Sequence, residues 1–304
     1  MHLIHCNCGG SAPIVGSEHI LLPPIPSRKD LQAVDAAAKI CLPEDPTPSL
    51  AEIQASPDVG HMGAPAFSPQ SPETPLRVIV SGSDAALAAV LTRMMRGDYL
   101  WAEIAYVPDD PTSAAAVCWN VPTSRDAAVA LALEGSVTPA ACIRTDTGDV
   151  LAGAAEIYHA DGREEFVGEV VVDSKRLIYR TGEDPSASFS GQFGARLVPT
   201  MDQPGIACSA FITPVSPPAG HSRPATLSPE QLEWFASTPG LRWLTRGKHA
   251  TPAVLDHTRI LQGRAVQAGG SDITVKLDGV EKPRTVNRVT FYRHLRDIQA
   301  VRQP

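Results

Sequence analysis

The hydrophobic positions between residues 76 and 107 change spacing twice. The run LRVIV, residues 76–80, is β-branched with no polar alternation, the pattern of a strand covered on both faces. Leu87, Val90, Leu91 and Met94 then recur at i, i+3, i+4 and i+7, which predicts a helix with one buried stripe. Ser83 or Asp84 stands where the N-cap of that helix belongs, and Gly97 where a C′ glycine would end it. AEIAYV, closed by Pro108, reads as a second strand, and strand–helix–strand in this order implies a right-handed parallel unit. A further helix is predicted over 124–135, with Ser124 as its cap.

After Pro139 the helical spacing stops. ACIRTDTGDVLAGAAEIYH resembles two strands joined at a turn near Thr147 and Gly148. FVGEVVVDSKRLIYR, SGQFGARLVPT and IACSAFITPV continue the strand texture. Residues 217–239 form a proline-rich interruption with a short helix expected at SPEQLEWFAS, and strands return in GRAVQAG, DITVKLDG and PRTVNRVTFYR. Strand–helix units followed by antiparallel strands predict an α/β chain, a partial Rossmann-like unit over 76–138 and a β-sandwich-like domain over 139–304.

Residues 1–75 look different. LLPPIPSRKD, LPEDPTPSL and SPQSPETP are dense in proline, which removes a backbone donor and restricts the residue before it. Only 30–42 has helical composition, with Leu31, Val34, Ala38 and Cys41 on one stripe. The segment reads as a mostly disordered proline-rich leader, dispensable to the domains that follow. His2, His5, Cys6 and Cys8 offer zinc ligands, but a structural zinc site draws pairs from separate segments, and no second pair has suitable spacing. A frayed terminus, or a start assigned too far upstream, is the expectation there.

Composition narrows the classes. The 304 residues are 43% hydrophobic with a net charge of -7, which argues against a nucleic-acid partner, since such footprints need a basic face. The one basic stretch, Arg284, Arg288, Arg293, Arg296 and Arg302, reads as a solvated face. No apolar run approaches the roughly 20 residues of a membrane span, and no secretory signal is evident. Six scattered cysteines suit reduced thiols and a cytoplasmic location.

The motifs VIVSGSDAALAAVL, IAYVP and GRAVQAGGSDITVKLDGVEKPRTVNRVTFYRH resemble the catalytic-domain superfamily of diacylglycerol kinases, lipid kinases and NAD kinases, in a divergent actinobacterial branch. The resemblance runs from Leu76 to about Arg302. It implies a GGDGT loop after the first strand, a GTGND loop after the second, and a late V-x-V-D-G-E strand. Here the first loop is Gly82, Ser83, Asp84, Ala85 and Ala86, which adds a Cβ at two of the three glycine positions. Asp109, Asp110 and Pro111 stand where the second loop would present N–H groups to a phosphate. In the third motif Asp278 and Gly279 remain, and Val280 replaces the glutamate.

The candidate cofactor-binding residues are therefore Gly82, Ser83, Asp84, Asp109, Asp110 and Asp278. Asp84 reads either as a helix N-cap or, by the resemblance, as a metal ligand in a magnesium–nucleotide complex with Asp109 or Asp110. Asp278 and Gly279 also read as a plain turn. RGKHATP, residues 246–252, reads as a solvated basic loop, and Trp243, Phe291 and Tyr292 as packing residues. HExxH, GxSxG and Walker loops are missing from the sequence. Three functions follow: a non-catalytic kinase-like protein that binds a nucleotide, lipid or protein; an active ATP- and magnesium-dependent kinase of a lipid-type alcohol; or a structural protein without a small-molecule site.

Overall fold

The computed structural model describes residues 1–44, 63–180, 190–201, 205–215 and 253–303. Its first elements are β1 (His2–Asn7), β2 (Glu18–Leu21), α1 (Gln32–Cys41), β3 (Leu76–Gly82), α2 (Asp84–Arg96), β4 (Glu103–Pro108), α3 (Ala114–Cys118) and α4 (Arg125–Glu134). Short strands follow: β5 (Ile143–Thr145), β6 (Val150–Leu151), β7 (Ala155–His159), β8 (Gly168–Val172) and β9 (Lys175–Arg180). Then come β10 (Gly194–Thr200), β11 (Gly205–Phe211), β12 (Leu255–Gly263), β13 (Ala265–Leu277), β14 (Val280–Glu281), β15 (Val286–Arg293) and β16 (Gln299–Val301).

Five strands form a parallel sheet in the order β16-β4-β3-β1-β2. All seven residues of β3 are buried, as the unalternating LRVIV run requires. Ile79 of β3 joins Leu87, Leu91 and Met94 of α2 in one core, and each such side chain contributes about 1.5–3 kcal/mol by leaving water. Arg77, buried at the start of β3, donates to Glu103 (2.6 Å) and to the carbonyls of Ala132, Leu133 and Gly135. It thereby satisfies the C-terminal end of α4, whose last carbonyls have no partners within the helix.

The expected leader is corrected by this sheet. β1 lies between β2 and β3, with Ile4 and Cys6 fully buried, and Leu31 at the N-cap of α1 is buried with its Val34 and Ala38 in the same core. Residues 63–68 are held as well. Arg293 donates to the Gly63 carbonyl (2.6 Å), Asp297 accepts from the Ala66 amide (2.9 Å), and Gln299 accepts from the Ser68 amide (3.0 Å). The prolines of the described leader lie outside its strands and helix, so they limit element length without preventing a fold. The His/Cys cluster is divided by the pleat: β-strand alternation sends His5 to the face opposite Cys6, and His2 pairs with Glu18 at 3.1 Å.

The 138/139 boundary is crossed a second time at the far end of the chain. β16 pairs in parallel with β4, and Val137 and Ala140 bridge to Val301 and Ile298. The last strand therefore belongs to the parallel sheet. The expected solvated arginine face also divides. Arg293 is buried against Asp297 (2.6 Å), Arg302 is buried, Arg296 pairs with Asp98 (2.7 Å), and Arg284 and Arg288 are exposed.

The remaining strands form an antiparallel sheet around the long β13, which pairs with β8 through its first half and β7 through its second. β9 packs onto β11 and β8 onto β12, so the faces enclose a second core that includes Ile157, Val170, Leu197, Val266 and Phe291. Residues 168–172 and 175–180 are strands, as their β-branched texture predicts. The expected helix at SPEQLEWFAS, Trp243 and the basic loop 246–252 lie outside the described residues. Among the described residues, no helix is long and apolar enough to cross a membrane.

Candidate functional site

β1, β3 and β4 are parallel, so their C-terminal ends lie at one edge of the sheet, where ligands of open α/β sheets bind. That edge gathers five of the candidate residues: Gly82, Ser83, Asp84, Asp109 and Asp110. Gly82 has φ 148°, and a Cβ there would stand 3.1 Å from the Cys8 Cβ and 3.2 Å from the Ala86 Cβ. Glycine is needed at this point for chain packing alone. The N-cap of α2 is Ser83, whose hydroxyl accepts from the Ala86 amide (3.3 Å). At the other end of α2 the positive φ falls on Asp98 (58°) rather than Gly97 (−96°), and glycine at 97 makes room for the Tyr99 ring, which a Cβ would meet at 2.4 Å.

Asp84 is thus released from capping its own helix, and it caps another. Its Oδ2 accepts from the Ala115 amide (3.0 Å), and its Oδ1 accepts from the hydroxyls of Ser113 (2.6 Å) and Tyr106 (2.9 Å). Tyr106 also reaches the Gly82 carbonyl (3.0 Å). The buried phenol beside Asp84 is pushed well above its ordinary pKa, first by desolvation and then by the carboxylate charge. The short α3 is missing from the expected elements, although Ser113 ahead of three alanines is a cap signature.

Asp109 and Asp110 are exposed. The Asp109 amide donates to the Gly82 carbonyl (3.0 Å), and its carboxylate covers Gly9, where a Cβ would lie 2.6 Å from Oδ2. Burial, reinforced by Asp109, pushes the Cys8 thiol up to about 12, so it stays protonated. Asp110 closes a turn by accepting from the Thr112 amide (2.8 Å) and hydroxyl (2.7 Å).

Asp278 comes from the other sheet. It and Gly279 form the two-residue turn between β13 and β14, with φ of 47° and 85°, both positive as a type I′ hairpin demands. The carboxylate is buried and accepts from the amides of Ala152 (3.0 Å), Gly153 (2.7 Å) and Ala154 (3.1 Å). Desolvation pushes its pKa up to about 7 against the pull of those three donors, and the Asp84 charge adds to the rise. Gly153 lies against α3, where a Cβ would stand 2.3 Å from the Ala115 nitrogen. Asp84, the start of α3, residues 152–154 and Asp278 therefore form one connected clamp between the two sheets. Tyr106, Ser113 and Gly153 complete it, although none of them stood among the candidate site residues.

Among the described residues, no three His, Cys, Asp or Glu side chains converge as a metal site would require. A magnesium–nucleotide complex does not fit the residues present: Asp84 and Asp278 already accept from three donors each, and Asp110 is taken up by the Thr112 turn.

Beside the clamp, a cleft of about 430 Å³ opens between α2 and the β13–β14 hairpin, lined by Ala85, Ala88, Ala89, Val150, Leu277 and Val280 among others. Asp149 at its rim is bonded to both Lys282 (2.7 Å) and Arg96 (3.3 Å).

No protein-family model and no curated protein matches the chain. Solved structures with a similar arrangement include a diacylglycerol kinase from Bacillus anthracis str. Sterne, at 11% identity and TM-score 0.47, covering 100% of this chain and 97% of that one. An NAD kinase from Archaeoglobus fulgidus in complex with ATP matches at 9% identity and TM-score 0.36, covering 73% of this chain and 75% of that one. Yeast NADH kinase complexed with NADH matches at 9% identity and TM-score 0.40, covering 100% and 83%. The structural neighbours of this chain are thus diacylglycerol kinase and NAD kinase proteins, at low sequence identity.

Proposed function

We propose that this chain is a non-catalytic ligand-binding protein built on a kinase-like arrangement, which takes a nucleotide or lipid-type small molecule in the α2–hairpin cleft without a metal ion. The observation that carries this reading is the use of Asp84 and Asp278. The two acidic residues that the motif resemblance retains hold α3 and residues 152–154 in place, each accepting three hydrogen bonds from the chain itself. The cleft itself supports binding, since its volume of about 430 Å³ lies in the range of small-molecule sites and its floor is apolar. Six unpaired cysteines favour a cytoplasmic setting.

A thermal-shift screen of nucleotides and lipid alcohols, with and without magnesium, tests the proposal. Stabilisation by a cleft ligand should be independent of magnesium and lost in Ala88→Phe, which fills the floor. Calorimetry should give ATP–magnesium a Kd no tighter than about 1 mM, or about 4 kcal/mol. Micromolar, magnesium-dependent ATP binding with phosphoryl transfer to an alcohol would establish an active kinase instead.

A further inference from the structure

A second cavity, of about 300 Å³, lies beside the β13–β14–β15 corner. The Lys282–Asp149 ion pair lines both this cavity and the cleft. Its apolar wall comes from Val275, Leu277, Val286 and Val289, and its rim carries Arg284 and Arg288.

The charges at that rim differ from those of their neighbours. Lys276, Lys282, Arg293 and Arg296 of the same region are each held by a carboxylate. Arg284 and Arg288 are exposed, and neither pairs with an acid among the described residues. Two guanidinium groups without an ion-pair partner among the described residues thus flank an apolar hollow on a chain whose net charge is -7. Guanidinium forks match the two oxygens of a carboxylate, while the valine and leucine walls suit a hydrocarbon body. Asp146 also lines the cavity, and its charge stands against a dianion. The volume is at the small end of ligand pockets, which suits one short chain rather than a two-tailed lipid.

We infer that this cavity is a binding site for a small amphipathic monoanion, specifically a medium-chain carboxylate. The site adjoins the cleft, sharing Asp149, Leu277, Lys282 and Pro283 with it, but its assignment does not depend on the reading given for the cleft.

Calorimetry on the full chain with octanoate, octanol and acetate tests the assignment. Octanoate should bind saturably and at least about tenfold more tightly than octanol, which lacks the charge, or acetate, which lacks the body. Arg284→Ala and Arg288→Ala should each weaken octanoate about tenfold, and Val286→Asp should abolish its binding. Arg284 and Arg288 are exposed, so the ligand-free melting temperatures of their variants should stay at the parent value, whereas Val286 is 36% exposed and paired in β15, so its variant should melt lower and is titrated below its own transition. Ala88→Phe, on the cleft side, should leave octanoate binding unchanged. Equal affinity for octanol and octanoate, or arginine variants that bind like the parent, would overturn the site. Loss of octanoate in Ala88→Phe would place the anion in the cleft and overturn it as well, without touching the magnesium-free reading of the cleft.

Discussion

Replacing Asp84 by alanine distinguishes a structural carboxylate from a catalytic one. Three donors lose their acceptor: the Tyr106 hydroxyl, the Ser113 hydroxyl and the Ala115 amide. Hydrogen bonds to a charged group are worth about 1.5–3 kcal/mol each, but three bonds to one acceptor do not add. Tyr106 keeps the Gly82 carbonyl as a second acceptor, so its loss is partial. The Ala115 amide has no such substitute next to Gly153, and stranding it costs about 1–3 kcal/mol. The expected total is about 3 kcal/mol, which lowers the melting temperature by roughly 5 °C in a chain of this size. Asp84→Asn should lose about half as much, because the hydroxyls can reverse direction and accept from its amide nitrogen. Urea unfolding followed by circular dichroism reads both values. Asp109→Ala, at an exposed loop position, serves as the control and should unfold with the parent. If Asp84→Ala matched the parent to within about 0.5 kcal/mol, the carboxylate would be free for a ligand and the clamp argument would fail.

Two further outcomes follow from the same geometry. Asp278 has a folded pKa of about 7, above the roughly 3.9 of an unfolded aspartate, so the folded chain holds this proton more tightly. Its contribution to stability is complete below about pH 4 and is lost as pH rises through 7. The parent should therefore lose stability relative to Asp278→Asn between pH 5 and pH 8 in urea titrations, and parallel pH profiles would refute the assignment. A fragment beginning at Pro75 should fail to fold, because it lacks β1, which carries backbone pairing to β3 and β2 on its two edges. A soluble fragment with the parent's two-sheet circular dichroism and a cooperative melt would show β1 to be dispensable.

Local pattern determined much of this protein. The unalternating LRVIV run, the 3.6-residue stripe of α2, the Ser124 cap and the β-branched texture after Pro139 all specify elements without help from distant residues. The order of those elements implied an α/β unit followed by an antiparallel domain. The same local logic found α1 but missed β1 and β2, because strands of six and four residues have too little sequence to announce themselves. The place of β1 between β2 and β3 comes from parallel pairing across more than seventy residues, which no periodicity encodes. β16 is a similar case: three residues return to the first sheet after the whole second domain. The candidate site divides along the same line. Sequence brought Gly82, Asp84 and Asp278 into view as isolated motif remnants. Only the tertiary structure set Asp84 at the head of α3 and Asp278 against residues 152–154, because the donors that engage them lie on other elements, and hydrogen bonding across a fold leaves no spacing rule in the chain.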